Sequence, residues 1–141
     1  MKANAAIRIV PDTNVIFEGL TKQGGACGFI IDAWRAGLFQ VCLSDAVAHE
    51  YVDVLTRKLS AIRWEQIKPV LRMLLAQSTW VAIYYSWRPA SPDPGDDLVT
   101  DCAMNAGAIV VTSNMRDFHS ARESLGLTVM TPVNFVKLLA E

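Results

Sequence analysis

Five acidic residues carry most of the chemistry this chain could do. Asp12 stands in Ile9-Val10-Pro11-Asp12-Thr13-Asn14, Glu50 in Ser44-Asp45-Ala46-Val47-Ala48-His49-Glu50, and Asp96-Asp97 is followed by Asp101. Each lies where a strand gives way to a helix or on the first turns of a helix. They are distant in sequence, yet an α/β sheet would bring them to one edge. Converging carboxylates repel one another in a site of low effective dielectric, so a positive charge must compensate. A hard divalent cation, Mg²⁺ or Mn²⁺, takes oxygen ligands and supports phosphodiester chemistry, so the expected activity is that of a metal-dependent nuclease.

Each acid also has a simpler reading. Asp12 before Thr13-Asn14 could only cap a helix, although Asn14 adds a second oxygen that could orient its carboxylate or hold a water. Glu50 could be a solvated helical residue, but the apolar neighbours Val47, Val54 and Leu55 suggest a partly buried helix. Asp96 and Asp97 follow Pro94-Gly95 and could cap the next helix. Asp97 and Asp101 are four apart, so both carboxylates share one helical face, which is unfavourable unless a cation sits between them. Thr112-Ser113-Asn114 ends a strand, and Asn114 is either a turn residue or a further oxygen donor. Asp117 is a helix-cap candidate and a weaker ligand candidate.

The elements that would position these residues alternate along the chain. Strands are expected at Ile7–Val10, Phe39–Leu43, Trp80–Tyr84, Ala108–Thr112 and Thr128–Met130. Helices are expected at Thr13–Leu20, at Ala26–Ala36, from Ser44 or Asp45 through Leu55, at Ala61–Ala76, at Asp97–Ala106, within Asn114–Leu125 and from Pro132 to Leu139. Pro69 would be tolerated in the fourth of these if that helix started near Glu65 or Ile67. The segment Arg88 to Gly95, with three prolines, reads as a rigid loop. Strands separated by helices throughout mean a parallel sheet covered on both faces, with ligands beyond the carboxyl ends of the strands.

Composition narrows the class. The 141 residues are 52% apolar and 19% charged, a single globular domain over residues 1–141. No apolar run is long enough for a membrane span, and Met1-Lys2-Ala3-Asn4 does not begin like a secretory leader. Three widely spaced cysteines without a CxxC, and two histidines, fit a reducing cytoplasm and offer no zinc site. The net charge of −1 and the lack of a Lys/Arg block count against binding of nucleic acid mainly by counterion release, but a cation in the site would supply positive charge locally. Arg57-Lys58 and Arg116 could add phosphate contacts. The apolar content favours a homo-oligomer or a protein partner.

Two phosphotransfer classes on similar sheets fail at specific positions. A haloacid-dehalogenase-like phosphatase needs an Asp where Asn14 stands, and a receiver domain needs a Lys where Thr131-Pro132 stands. Four motifs in order instead resemble the PIN domain: the strand–Asp12-Thr13-Asn14-Val15 opening, Ser44 with Glu50 six residues on, Asp96-Asp97 after a Pro-rich loop, and Val110-Val111-Thr112-Ser113-Asn114-Met115-Arg116-Asp117-Phe118. The resemblance runs from about residue 7 to residue 138 and is greatest to the VapC-like ribonuclease toxins of prokaryotic toxin–antitoxin modules. It implies a three-layer α/β/α sandwich with a central parallel sheet of four to five strands, and a Mg²⁺- or Mn²⁺-dependent endoribonuclease. By position it implies Asp12, Glu50 and Asp97 as metal ligands, with Asp101 a neighbouring catalytic acid. Asp96 competes with Asp97, which is preferred because it shares a helix face with Asp101. Thr13, Asn14, Asp96, Thr112, Asn114 and Asp117 would support the site. Where many members carry a fourth acid after the fourth strand, this chain has Asn114. An RNA substrate, a cognate antitoxin and a homodimer or larger assembly are implied as partners. A PIN-like binding module without activity is the alternative.

Overall fold

A computed structural model describes residues 7–87 and 91–141. Five parallel strands form its centre: β1 (Arg8–Pro11), β2 (Gln40–Leu43), β3 (Thr79–Trp80), β4 (Ile109–Val111) and β5 (Val129–Met130), in the order β3-β2-β1-β4-β5. The short apolar runs that suggested strands are buried as a covered parallel sheet requires. Ile9, Val10, Cys42, Leu43, Val110 and Val111 have no exposed surface. Seven helices connect and cover the strands: α1 (Thr13–Thr21), α2 (Gly25–Arg35), α3 (Asp45–Lys58), α4 (Ala61–Ala76), α5 (Pro94–Ala106), α6 (His119–Leu125) and α7 (Pro132–Leu139). The whole is the expected α/β sandwich. Among the described residues no helix is long and apolar enough to cross a membrane.

Helix α5 packs on β1, β2 and β4 and against α3, while α1 packs on α2 and α3. The α1–α2 crossing is close at Gly19, where a Cβ would lie 2.8 Å from the Cys27 carbonyl oxygen. Caps fix the helix starts with short polar side chains: Ser44 Oγ accepts from Val47 N, Ser60 Oγ from Arg63 N, and Thr131 Oγ1 from Asn134 N.

Helix α4 has the expected span, but the place of Pro69 within it and two other boundaries differ from the sequence reading, each for a local reason. Helix α4 starts at Ala61 under the Ser60 cap, so Pro69 lies inside it rather than in its first turns. Burial of Ile67, Leu71 and Leu74 holds the helix together across the missing hydrogen bond. Strand β3 ends at Trp80 instead of Tyr84, because Val81 N makes the last bond to Leu43 O and the chain then turns onto α5. There Asn105 Oδ1 accepts from the backbone N–H groups of Tyr84 and Tyr85. Helix α5 begins at Pro94 and is capped by Asp93, which accepts from Gly95 N at 2.9 Å. Asp96 and Asp97 are therefore first-turn residues, not caps. Of the expected Arg88–Gly95 loop, residues 88–90 lie outside the described residues.

Candidate active site

The strand order reverses at β1, which is flanked by β2 on one side and β4 on the other, and ligands of open α/β sheets bind at such a switch point. Asp12 follows β1, and Thr112 follows β4. The Thr112 hydroxyl donates to Asp12 Oδ2 at 2.8 Å, and Thr112 Oγ1 accepts from Asn114 N at 3.0 Å. Asp12 Oδ1 accepts from Thr13 N at 2.8 Å, so the carboxylate also caps α1. Asn14 Nδ2 donates to Asp12 Oδ2 at 3.4 Å, while Asn14 Oδ1 accepts from Ser113 N at 3.3 Å. Cap and site component are one residue here. Asn14 serves as its orienting group.

A cavity of about 270 Å³ opens beyond this edge. Its walls carry Asp12 with Thr13 and Asn14, Glu50 from α3, Asp93 and Asp96 at the start of α5, and Asp117 from the 3-10 turn Met115–Phe118. Glu50 is half-buried. It reaches the α5 turn because Gly95 has no side chain: a Cβ there would lie 3.1 Å from Glu50 Oε2 and 3.4 Å from Asp93 Oδ1. The Tyr51 hydroxyl, fully buried beside Glu50 in sequence, donates to the Pro11 carbonyl and ties α3 to the residue before Asp12. Asn114 Nδ2 donates to Asp117 Oδ2 at 2.7 Å.

The electrostatics are those of crowded acids. Burial raises the Asp12 pKa; the Thr112 and Thr13 hydrogen bonds oppose that rise, and the charges of Asp117 and Asp93 add to it. Asp96 is pushed up to about 8, first by burial and then by Asp12, Asp93 and Asp117. A hydrogen bond between the Asp96 and Asp117 carboxyls contributes, since two carboxylates share one only when a proton stays between them. Among the described residues, Asp96 Oδ2 is buried without a hydrogen-bond partner. A buried polar atom left unpaired is costly, and this one has neighbours of like charge.

The structure brings Asp12, Glu50, Asp96 and Asp117 to one cavity, with Thr13 and Asn14 on its wall and Thr112 and Asn114 behind it. Asp97 and Asp101 are not on that wall. Both are buried. Asp97 accepts from the Ser91 hydroxyl at 3.2 Å. Asp101 accepts from the Ser86 hydroxyl at 2.9 Å and from Trp87 N at 3.0 Å. The shared helix face that favoured Asp97 exists, but it meets donors of the preceding segment, and the competing neighbour Asp96 takes the place in the cavity. Asp93 was not among the expected site residues. The pattern Asp93-Pro94-Gly95 was its signal: an acid before Pro at the first helical position is a cap, and caps at this sheet edge face the cavity.

Among the described residues, no three His, Cys, Asp or Glu side chains stand close enough as placed to hold a metal ion. The donor set nevertheless suits a hard cation. It is all oxygen, it includes the unpaired Asp96 Oδ2, and Mg²⁺ needs only one or two carboxylates because it retains several waters. Asp12 and Asp96 are the two carboxylates that could hold it, with Glu50 on the same wall within reach of its waters.

Fold and cavity together define an α/β sandwich with buried acids at its switch point. The PIN domain family matches residues 8–116, and the chain belongs to that family. A comparison with curated proteins gives no match. Among solved structures, the chain resembles VapBC2 from Rickettsia felis bound to a promoter DNA fragment, with a TM-score of 0.66 at 14% identity, covering 89% of this chain and 98% of that one. DNA-bound VapBC from Salmonella typhimurium gives 0.63 at 15% identity, with 89% and 98% covered. FitAcB from Neisseria gonorrhoeae gives 0.61 at 17% identity, again with 89% and 98% covered. At these identities the likeness is one of fold.

Proposed function

We propose that the protein is a Mg²⁺- or Mn²⁺-dependent endoribonuclease, the toxin of a cytoplasmic toxin–antitoxin pair. The observation that carries this reading is Asp96, a first-turn carboxyl pushed up to about 8 by burial and then by the acids around it, with an oxygen that has no hydrogen-bond partner among the described residues. Such a cluster suits a ligand that brings positive charge. Asp12 and Asp96 would hold the cation, with Glu50 binding one of its waters; when bound it supplies the charge that activates a water and stabilises the extra negative charge developing on the phosphate. Thr112 and Asn14 fix the direction of the Asp12 carboxylate. Asn114 anchors Asp117, which with Asp93 adds negative potential around the cation. Gly95 admits Glu50 to the same space.

Membership of the PIN domain family supports nuclease chemistry, and likeness to VapBC and FitAcB, which are two-component assemblies, supports a cognate antitoxin. Homodimerisation is part of the same reading. The test is cleavage of a labelled structured RNA by purified protein with Mg²⁺, Mn²⁺ or EDTA, beside Asp12→Asn. Cutting that needs the metal and vanishes in the variant is expected. Wild-type rates in Asp12→Asn would sink the assignment, and a wild-type protein that neither binds Mg²⁺ nor cuts RNA would be a binding module instead.

A further inference from the structure

The cavity is not acidic all round. Helix α3 lines it with Glu50, Val54, Arg57 and Lys58, positions that recur on one helical face. Five carboxylates (Asp12, Glu50, Asp93, Asp96, Asp117) thus meet two cations, and both cations come from the last turn of one helix. Eight residues separate Glu50 from Lys58, about 12 Å along the axis at the α-helical rise. Helical side chains lean toward the N-terminus, so Arg57 and Lys58 reach back toward the acids from the cavity's outer end. Lys58 Nζ lies 5.2 Å from the centroid of the Phe17 ring, which holds the ammonium against α1. Among the described residues Lys58 forms no ion pair, whereas Arg57 meets Asp53 at 3.5 Å with both side chains more than half exposed.

A cation pair on the α3 side of the cavity is more than a ligand with a single phosphate at the Asp12 and Asp96 cation site requires. It suits a polyanion whose next phosphates extend along α3. We propose that Lys58, with Arg57 beside it, forms a subsite for a backbone phosphate flanking the scissile one, so that RNA enters the cavity along the C-terminal end of α3. The proposal rests on the nuclease reading above and assigns that site its strand-binding side. Arg116, the other basic residue singled out in the sequence, is exposed and is not on the cavity wall.

The experiment is steady-state cleavage of a single-stranded RNA with Mg²⁺ over a KCl series, for the wild type, Lys58→Gln, Arg57→Gln and Lys137→Gln. Lys137 is exposed on α7, outside the cavity, and reports the loss of one charge alone. Lys58→Gln is expected to raise KM several-fold, to keep most of kcat, and to reduce the slope of log KM against log salt by about 0.7, the value for one phosphate contact on a single strand. Arg57→Gln moves in the same direction by less, because Asp53 already shares its charge. Lys137→Gln keeps the wild-type slope. The proposal is overturned if Lys58→Gln and Lys137→Gln behave alike, or if Lys58→Gln lowers kcat with KM unchanged. Calorimetry with Mg²⁺ on the wild type separates the two readings: absent metal binding together with absent cleavage removes the nuclease reading and this proposal with it. Normal metal binding and cleavage with an unchanged salt slope in Lys58→Gln removes this proposal alone.

Discussion

The Thr112 hydroxyl and Asp12 Oδ2 lie 2.8 Å apart across 100 residues of sequence, and through this bond β4 sets the direction of a carboxylate that follows β1. The same hydroxyl oxygen accepts from Asn114 N, so it also shapes the turn that leads to Asp117. Thr112→Val removes both functions at nearly constant volume. We expect a stability loss of about 1–3 kcal/mol from the unpaired Asn114 N–H and the weakened Asp12 environment. Metal affinity should fall roughly 10–100-fold, as for other outer partners of metal ligands. Thr112→Ser should retain most of both. Denaturant titration and calorimetry with Mg²⁺ read the two effects separately, and an unchanged affinity in Thr112→Val would show that Asp12 needs no such orientation.

Asp96 and Asp97 are adjacent in sequence and differ in what they face. Asp96 lines the cavity, and Asp97 receives the Ser91 hydroxyl. Asp96→Asn should remove detectable Mg²⁺ binding and cut RNA cleavage at least about 100-fold, the order expected when a transition-state charge partner is lost. Asp97→Asn should change metal affinity far less and act mainly through folding. If Asp97→Asn proves the more damaging to metal affinity at equal stability, the ligand assignment must be exchanged between them.

The different surroundings of Asp96 and Asp97 mark the boundary of what the sequence discloses. Strand-sized apolar runs such as Ile9-Val10 and Val110-Val111, the helix start at Ser44 or Asp45, and the α/β alternation specify the parallel sheet, and with it the edge where the acids gather. Helical periodicity also places Asp97 and Asp101 on one face, and both are on it. Periodicity says nothing about what that face meets. Ser86, Trp87 and Ser91 reach it through the turn of the chain after Trp80, a tertiary event without a local signal. The unexpected position of Pro69 has the same origin, since burial of Ile67 and Leu71 outweighs a local breaker. Asp93 was legible as a cap, but its role at the cavity depends on α5 starting three residues earlier than its apolar pattern suggests.

The acids should make the metal-free protein sensitive to alkaline rather than acid conditions. Asp96 titrates near 8 in the folded chain and near 4 when unfolded. Between those values the folded state holds the proton that the unfolded state has released. Stability from this group is therefore fully present below about pH 4 and is lost as pH rises toward 8. The raised pKa of Asp12 acts in the same direction. In EDTA, the Tm contribution from this group should fall between pH 5 and 8, and Asp96→Asn should flatten that fall and raise Tm at pH 8 by at least about 4 °C, roughly 1 kcal/mol for a chain of this size. Saturating Mg²⁺ should do likewise for the wild type. A thermal melt series with and without EDTA checks this, and a wild-type fall that Asp96→Asn leaves intact would mean that another group titrates.

Gly95 separates geometry from charge in the same site. A methyl group there would lie 3.1 Å from Glu50 Oε2, tighter than ordinary contact, and the flexible glutamate would yield before the backbone of α5. Gly95→Ala should thus displace the Glu50 carboxylate by a few tenths of an ångström and leave every charge in place. Alanine also suits the first turn of a helix better than glycine, by roughly 0.5–1 kcal/mol, so stability should hold or rise. The expected result is a protein at least as stable as the wild type that cleaves RNA about tenfold more slowly, with the loss in kcat. Glu50→Asp in the Gly95→Ala background shortens the crowded side chain and should recover part of that rate if crowding is the cause. Equal rates for wild type and Gly95→Ala would show that Glu50 does not need its present place beside α5.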